Sequence, residues 1–195
     1  IMALAGTGAI LAVLWYNGAF LPGWIDWNDR LIQQGEYEVL LDHRTVGVTY
    51  DNSVIWTSPR GVKVQDVLSC DADNDGREEL ILLCWKIGRY GKYRPIWVEK
   101  DEKKWSQHIF VYDYNGDKIV PQWMSSYIGE DVAELSFNGK EAPFGRLFLE
   151  NTDGKMSRWV WDSWGFAREE TDVSFVVFGD NLIHEPIYRY GLGNG

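Results

Sequence analysis

The chain has 195 residues and a mass of 22.5 kDa, enough for one domain with a sizeable core or for two very small ones. Charged residues make up 25% and apolar ones 45%, the balance of a folded globular protein. Nineteen Lys and Arg against 29 Asp and Glu leave a net charge of -10, a field that repels nucleic acid and argues against duplex DNA as a partner. Two Cys and three His are too few for a disulfide framework or a zinc site, so any metal chemistry has to use oxygen ligands. The compositional outlier is aromatic: 11 Trp, 10 Tyr and 8 Phe, which bears on packing and surface more than on a reaction.

From Ile1 to Ile25 the only ionisable side chain is that of Tyr16, and the run is almost wholly apolar until Asn17, Gly18 and Pro22 interrupt it. About 20 apolar residues in a helix, at about 1.5 Å each, cross a hydrocarbon core of about 30 Å. Trp15, Tyr16 and Trp24 then fall near one end, where amphipathic rings favour the headgroup layer. Residues 1–25 are therefore read as an apolar, transmembrane-type helix, an uncleaved signal anchor. A cleaved signal peptide, a buried helix and a tail packed against other subunits are the competing readings. The flank from Asp26 to Arg30 has no basic excess, which places the rest of the chain on the extracytoplasmic face of the cell membrane, at the cell surface.

Residues 26–36 read as a polar connector, and after it the pattern turns to period-two alternation with closely spaced turn signals. Strands are predicted at Tyr37–Asp42, Val46–Tyr50, Val54–Thr57, Val62–Ser69, Glu79–Trp85, His108–Tyr112, Val120–Ser125, Val132–Phe137, Arg146–Glu150, Ser157–Asp162, Val173–Phe178 and Leu182–Tyr188. Short polar turns such as Asp51-Asn52, Asn115-Gly116 and Asp153-Gly154 separate several of them. Laid under one another the segments repeat: strand, polar turn, a strand carrying Trp56, Trp123 or Trp161, then a strand introduced by an acidic-Val pair. A unit of about 40 residues with four short strands is the mark of a propeller blade or a stacked β-repeat. The fold class is all-β: a small β-propeller-like or stacked four-stranded repeat over 37–195, with an insert at 86–107, preceded by the apolar helix. The repeated Trp residues are read as blade-to-blade packing, with exposed sugar-stacking platforms as the alternative.

The most specific short motif is Asp71-Ala72-Asp73-Asn74-Asp75-Gly76-Arg77-Glu78-Glu79. Carboxylates at alternate positions converge when the chain curls tightly, and Gly76 permits the curl. The Arg77 carbonyl and Glu79 then complete an oxygen shell suited to calcium. An EF-hand would need an acid at position twelve, where this chain has Leu82. The competing reading is an Asx-rich turn without metal.

The stretch DADNDGREELILL resembles the D-x-D-x-D-G-x-x-E-L core of FG-GAP and VCBS-type repeats, found in the integrin α-like β-propellers of many bacterial surface proteins. The resemblance covers about twenty residues. It implies blade geometry and one calcium site, through Asp71, Asp73, Asp75 and Glu79. The corresponding stretches in the other units lack the acidic triplet, and no clear FG-GAP tripeptide pair is present.

The insert is a basic and aromatic island. Between Lys86 and Lys104 it holds seven Lys and Arg against three acids, with Gly88 and Gly91 for flexibility. Arg89, Lys92 and Arg94 with Tyr90, Tyr93, Trp97 and Trp105 form a candidate surface for a protein partner or an anionic glycan or polymer. The alternative is a long hairpin whose basic stems cover tryptophans. Cys70 and Cys84 read as free buried thiols, and His43, His108 and His184 have no metal-like spacing. No nucleophile elbow, zincin, P-loop or dinucleotide fingerprint occurs, so no catalytic residue is assigned and the chain is read as a non-catalytic binding domain. Its alternative is a structural subunit, a homo-oligomer forming a filament or sheath; an envelope polysaccharide enzyme is the third reading.

Overall fold

The computed structural model describes residues 2–27, 29–88, 100–140 and 145–169. The chain opens with α1 (Met2–Tyr16) and continues as three antiparallel four-stranded meanders in chain order. The first sheet is β1 (Arg30–Gln34), β2 (Tyr37–Asp42), β3 (Thr45–Tyr50) and β4 (Ser53–Thr57). The second is β5 (Val62–Cys70), β6 (Glu79–Ile87), β7 (Trp105–Asn115) and β8 (Lys118–Met124). The third is β9 (Val132–Asn138), β10 (Arg146–Asn151), β11 (Met156–Asp162) and β12 (Gly165–Arg168).

The all-β part of the sequence reading fits this architecture, and the membrane-spanning helix is corrected. At 15 residues α1 is about 22 Å long, short of the roughly 30 Å of a bilayer core. No helix among the described residues is long and apolar enough to cross a membrane. The physical reason is a Schellman cap. Gly18 takes φ +72°, its N–H donates to the Trp15 carbonyl, and the Ala19 N–H reaches back to Leu14. An apolar run counted through to residue 25 is thus cut by a left-handed glycine.

Two strands lie where none was read. Residues 30–34, taken as connector, form β1, in which Ile32 packs on the core while Leu31 faces out. Residues 165–168 form β12. Consequently Trp161 sits on the third strand of its sheet, whereas Trp56 and Trp123 sit on the fourth of theirs, and the repeat seen in the sequence slips by one strand in its last unit. The predicted strands at 173–178 and 182–188 lie outside the described residues.

The second sheet is the centre of the molecule. Along β6 successive side chains enter opposite cores. Leu80, Leu82 and Cys84 join Val39, Leu41, Val46 and Val48 of the first sheet, and Ile81 and Leu83 join Leu135, Leu147 and Leu149 of the third. A strand buried on both faces has no polar side to present, which is why ELILLCWKI does not alternate. Indoles close both interfaces. Trp56 meets Tyr112 at 4.9 Å between ring centroids, and Trp123 meets Trp161 and Phe166 at 6.4 and 6.0 Å. Gly165 makes the second of these contacts possible, since a β-carbon there would stand 2.2 Å from the Trp123 indole nitrogen.

Between the second and third sheets lies a buried amide network. β5 carries a bulge at Gln65, because Val64 pairs with Cys84 while Asp66 pairs with Leu83. The Gln65 amide N–H donates to the carbonyls of Val132 and Ala133, and its oxygen accepts from the Trp85 indole and the Gln107 amide. Gln107 also donates to the Val132 carbonyl and accepts from its N–H at 2.8 Å. On the other side Arg30 of β1 bridges to Asp66 at 2.9 Å and donates to the Val67 carbonyl, tying the first sheet to β5.

Replacing Gln107 by Leu strands the Val132 N–H in the core, and Gly165→Ala drives a methyl group into Trp123. Each is expected to lower the unfolding free energy by about 2 kcal/mol, read as a lower urea midpoint at unchanged slope.

Candidate metal centre

The acidic motif forms the connection from β5 to β6, at one end of the cleft between the second and third sheets. Its curl uses two left-handed residues, Asn74 at φ +62° and Gly76 at φ +86°. Asn tolerates that region because its short amide is compatible with it, and glycine because it has no β-carbon. The carboxylates fold inward onto loop amides. Asp73 accepts from the Asp75 N–H, Asp71 from the Gly76 N–H at 3.1 Å, and Glu79 from the Ala72 N–H at 2.7 Å.

These bonds bring Asp71, Asp73, Asp75 and Glu79 together, with one oxygen of each within 4.8 Å of the others. Asp71 Oδ1 is buried and has no hydrogen-bond partner among the described residues. Glu79 is 2% exposed, and burial, reinforced by the charges of Asp73, Asp71 and Asp75, pushes its carboxyl up to about 7. Asp75 differs: the side-chain bond from Arg77 holds it below the ordinary carboxylate range, and the Arg77 N–H donates to it at 2.8 Å. Arg77, read for its carbonyl, therefore also contributes a guanidinium that pairs with one of the cluster's acids.

The donors are all hard oxygens, crowded and short of positive charge. Such a donor set could hold a metal ion, with the buried, unpartnered Asp71 oxygen among its ligand atoms. One exposed group of similar make-up, Asp29, Asp42 and His43, lies at the β2–β3 turn, where His43 is paired with Asp42.

Two residues from outside the motif face it. Gln122 of β8 donates to Asp73 Oδ2 at 3.0 Å. Asp113 of β7 is raised chiefly by burial, with Arg77 opposing and Asp73 and Asp75 adding. Neither was legible in sequence; Pro121, a residue that sheets admit mainly at edges and bulges, is the one signal beside Gln122. A depression of about 380 Å³ flanks the loop, lined among others by Leu68, Cys70, Asp71, Asn74, Glu78 and Phe137.

Of the candidate partner surface, Arg89, Tyr90, Lys92, Tyr93, Arg94 and Trp97 lie outside the described residues. Trp105 opens β7, and its indole N–H donates to the Trp15 carbonyl at 3.0 Å, so it meets the C-terminal end of α1. Cys70 and Cys84 are free and buried. His108 is buried between Ser106, whose hydroxyl is 2.9 Å from Nε2, and the Ser125 carbonyl, 3.1 Å from Nδ1. A serine beside a histidine invites comparison with a nucleophile and its base. Here Ser106 also donates to Glu102, and neither Ser106 nor His108 lines the depression beside the loop.

Compared with known proteins, the chain matches no family model and no curated protein sequence. The likeness to FG-GAP and VCBS-type repeats thus rests on the residues of the loop.

Burial lowers His108 to about 4, against an ordinary value near 6.5. The unfolded chain takes up this proton at a higher pH than the folded one, so the residue's contribution is intact above about pH 6.5 and lost as pH falls toward 4. Glu79, raised to about 7, acts in the opposite sense, losing its contribution as pH rises from 4.5 to 7. In metal-free buffer, the stability advantage of the unsubstituted chain over a His108→Gln variant is expected to shrink by about 2 kcal/mol between pH 7 and pH 5 in urea titrations.

Proposed function

We propose that the chain is a non-catalytic β-repeat domain for binding a ligand or partner, with the Asp71–Glu79 loop as a calcium-stabilised element of its scaffold. The observation that carries this reading is the convergence of four carboxylates around the buried, unpartnered Asp71 oxygen. Calcium takes six to eight oxygens, and Asp71, Asp73, Asp75, Glu79 and the Arg77 carbonyl supply most of such a shell, with water for the rest. A cation there would offset the burial and the neighbouring negative charges that raise Glu79, and would fix the turn that joins β5 to β6.

An FG-GAP or VCBS-like role on the extracytoplasmic, cell-surface side is consistent with such a loop, because modest calcium sites fill where calcium is abundant. Contact with a protein partner or an anionic glycan is assigned to the basic-aromatic insert on the strength of its sequence.

Calcium is expected to raise the melting temperature of the full chain, by the equivalent of about 2.7 kcal/mol at a hundredfold excess over Kd. Asp71→Asn combined with Asp73→Asn is expected to abolish the shift. A melting curve of the unsubstituted chain indifferent to calcium and to chelator would sink the reading.

A second reading, a structural subunit of an assembly, is favoured by α1. The helix is apolar on all sides, and Ile10 and Val13 are 61% and 59% exposed. Helices of that kind are normally covered. If neighbouring copies cover it, the chain sediments as a large species without detergent and Ile10→Asp with Val13→Asp returns it to a monomer. A monomeric unsubstituted chain would dismiss this alternative.

A further inference from the structure

The loop motif supplies its carboxylates from one short segment, yet the structure brings a further side chain to it from another strand. β8 carries a β-bulge. Val111 of β7 pairs with Trp123 and Tyr112 pairs with Pro121, so Gln122 is the extra residue, opposite none. Bulges bend a strand and turn a side chain out of its ordinary alternation. Here the side chain meets the acidic loop, where Gln122 Nε2 donates to Asp73 Oδ2 at 3.0 Å across 49 positions of sequence.

The other end of the same amide is informative. Gln122 Oε1 is buried and has no hydrogen-bond partner among the described residues, as is also true of Asp71 Oδ1 in the loop. A buried carbonyl without a donor has given up its bonds to water without replacement, at a cost in free energy. Two unpartnered acceptors belonging to one hydrogen-bonded cluster are the arrangement expected where a hydrated cation, rather than a protein group, brings the positive charge and the donors.

We propose that Gln122 is a positioning residue for the cation site: its amide N–H orients Asp73 as a ligand, and its carbonyl accepts a hydrogen bond from water carried by the ion. The inference rests on the calcium reading and goes beyond it, since nothing in the nine-residue motif requires a contribution from β8. Its physical logic is that of outer-sphere partners in metal sites generally. They hold a ligand in its productive rotamer, and their loss weakens affinity by about 10- to 100-fold without removing any ligand atom.

The test is calcium titration of the full chain by calorimetry in chelator-treated buffer, together with thermal melts without calcium. Gln122→Met, which fills the space but cannot donate, and Gln122→Ala, which leaves it open, are each expected to weaken Kd about tenfold. The calcium-free melting temperature is expected to stay close to that of the unsubstituted chain, because losing the bond to Asp73 is offset by removing the orphaned carbonyl. In an Asp73→Asn background Gln122→Met should add little further weakening, because the residue it orients has already been altered. Unchanged affinity in both Gln122 variants overturns the inference while leaving the calcium reading standing. A loss of stability as large without calcium as with it also overturns the inference, by making Gln122 a part of the fold alone. Failure of the unsubstituted chain to bind calcium removes both.

Discussion

The architecture depends on a central sheet that is buried on both faces and on the amide network that joins it to its neighbour. An apolar layer by itself is non-directional, and the two faces of β6 would pack against any complementary surface. Gln65 and Gln107 remove that freedom. Their amides meet both backbone groups of Val132, so the third sheet docks in one register or leaves buried polar groups unmet. The Trp85 indole completes the set by donating to Gln65, which makes the network closed rather than partial.

Both bulge glutamines of the second sheet serve the same purpose at different places. Gln65, unpaired on β5, reaches across to the third sheet, and Gln122, unpaired on β8, reaches up to the acidic loop. A regular ladder would point these amides into a core face or into solvent. The cost of interrupting the ladder is small for an edge strand such as β8, which pairs on one side only. Sheet irregularity thus links scaffold and site: the strand geometry that fixes the stack also delivers a side chain to the loop.

Electrostatics set the site apart from the rest of a molecule that is acidic overall. Several acids elsewhere are matched, as in Asp66 with Arg30 and Glu169 with Arg146 and Arg158. In the loop three aspartates and a buried glutamate share one guanidinium, Arg77, which engages Asp75. Glu79 is the residue that registers the imbalance, because it is both the most deeply buried acid of the group and surrounded by the other three. α1 presents a different imbalance, an apolar surface on a helix held to the body near its C-terminal end through Trp105.

Much of the fold was legible in the chain because strand alternation and turn chemistry are local: most strand positions, the polar hairpin turns and the acidic loop follow from residues within reach of one another. The loop's convergence was legible for the same reason, since alternate carboxylates and Gly76 dictate a curl whatever surrounds them. The end of α1 is local too, set by the backbone bonds around Gly18. The two short strands at residues 30–34 and 165–168, and the strand on which Trp161 falls, were decided by tertiary structure. There the local signal was weak, and what settled each was an interface to fill or a neighbouring edge to pair. Gln122 and Asp113 belong to the same class. A side chain that meets its partner from a different strand leaves no trace in the spacing of either segment, because the distance between them is set by how sheets pair and bulge, not by the covalent chain.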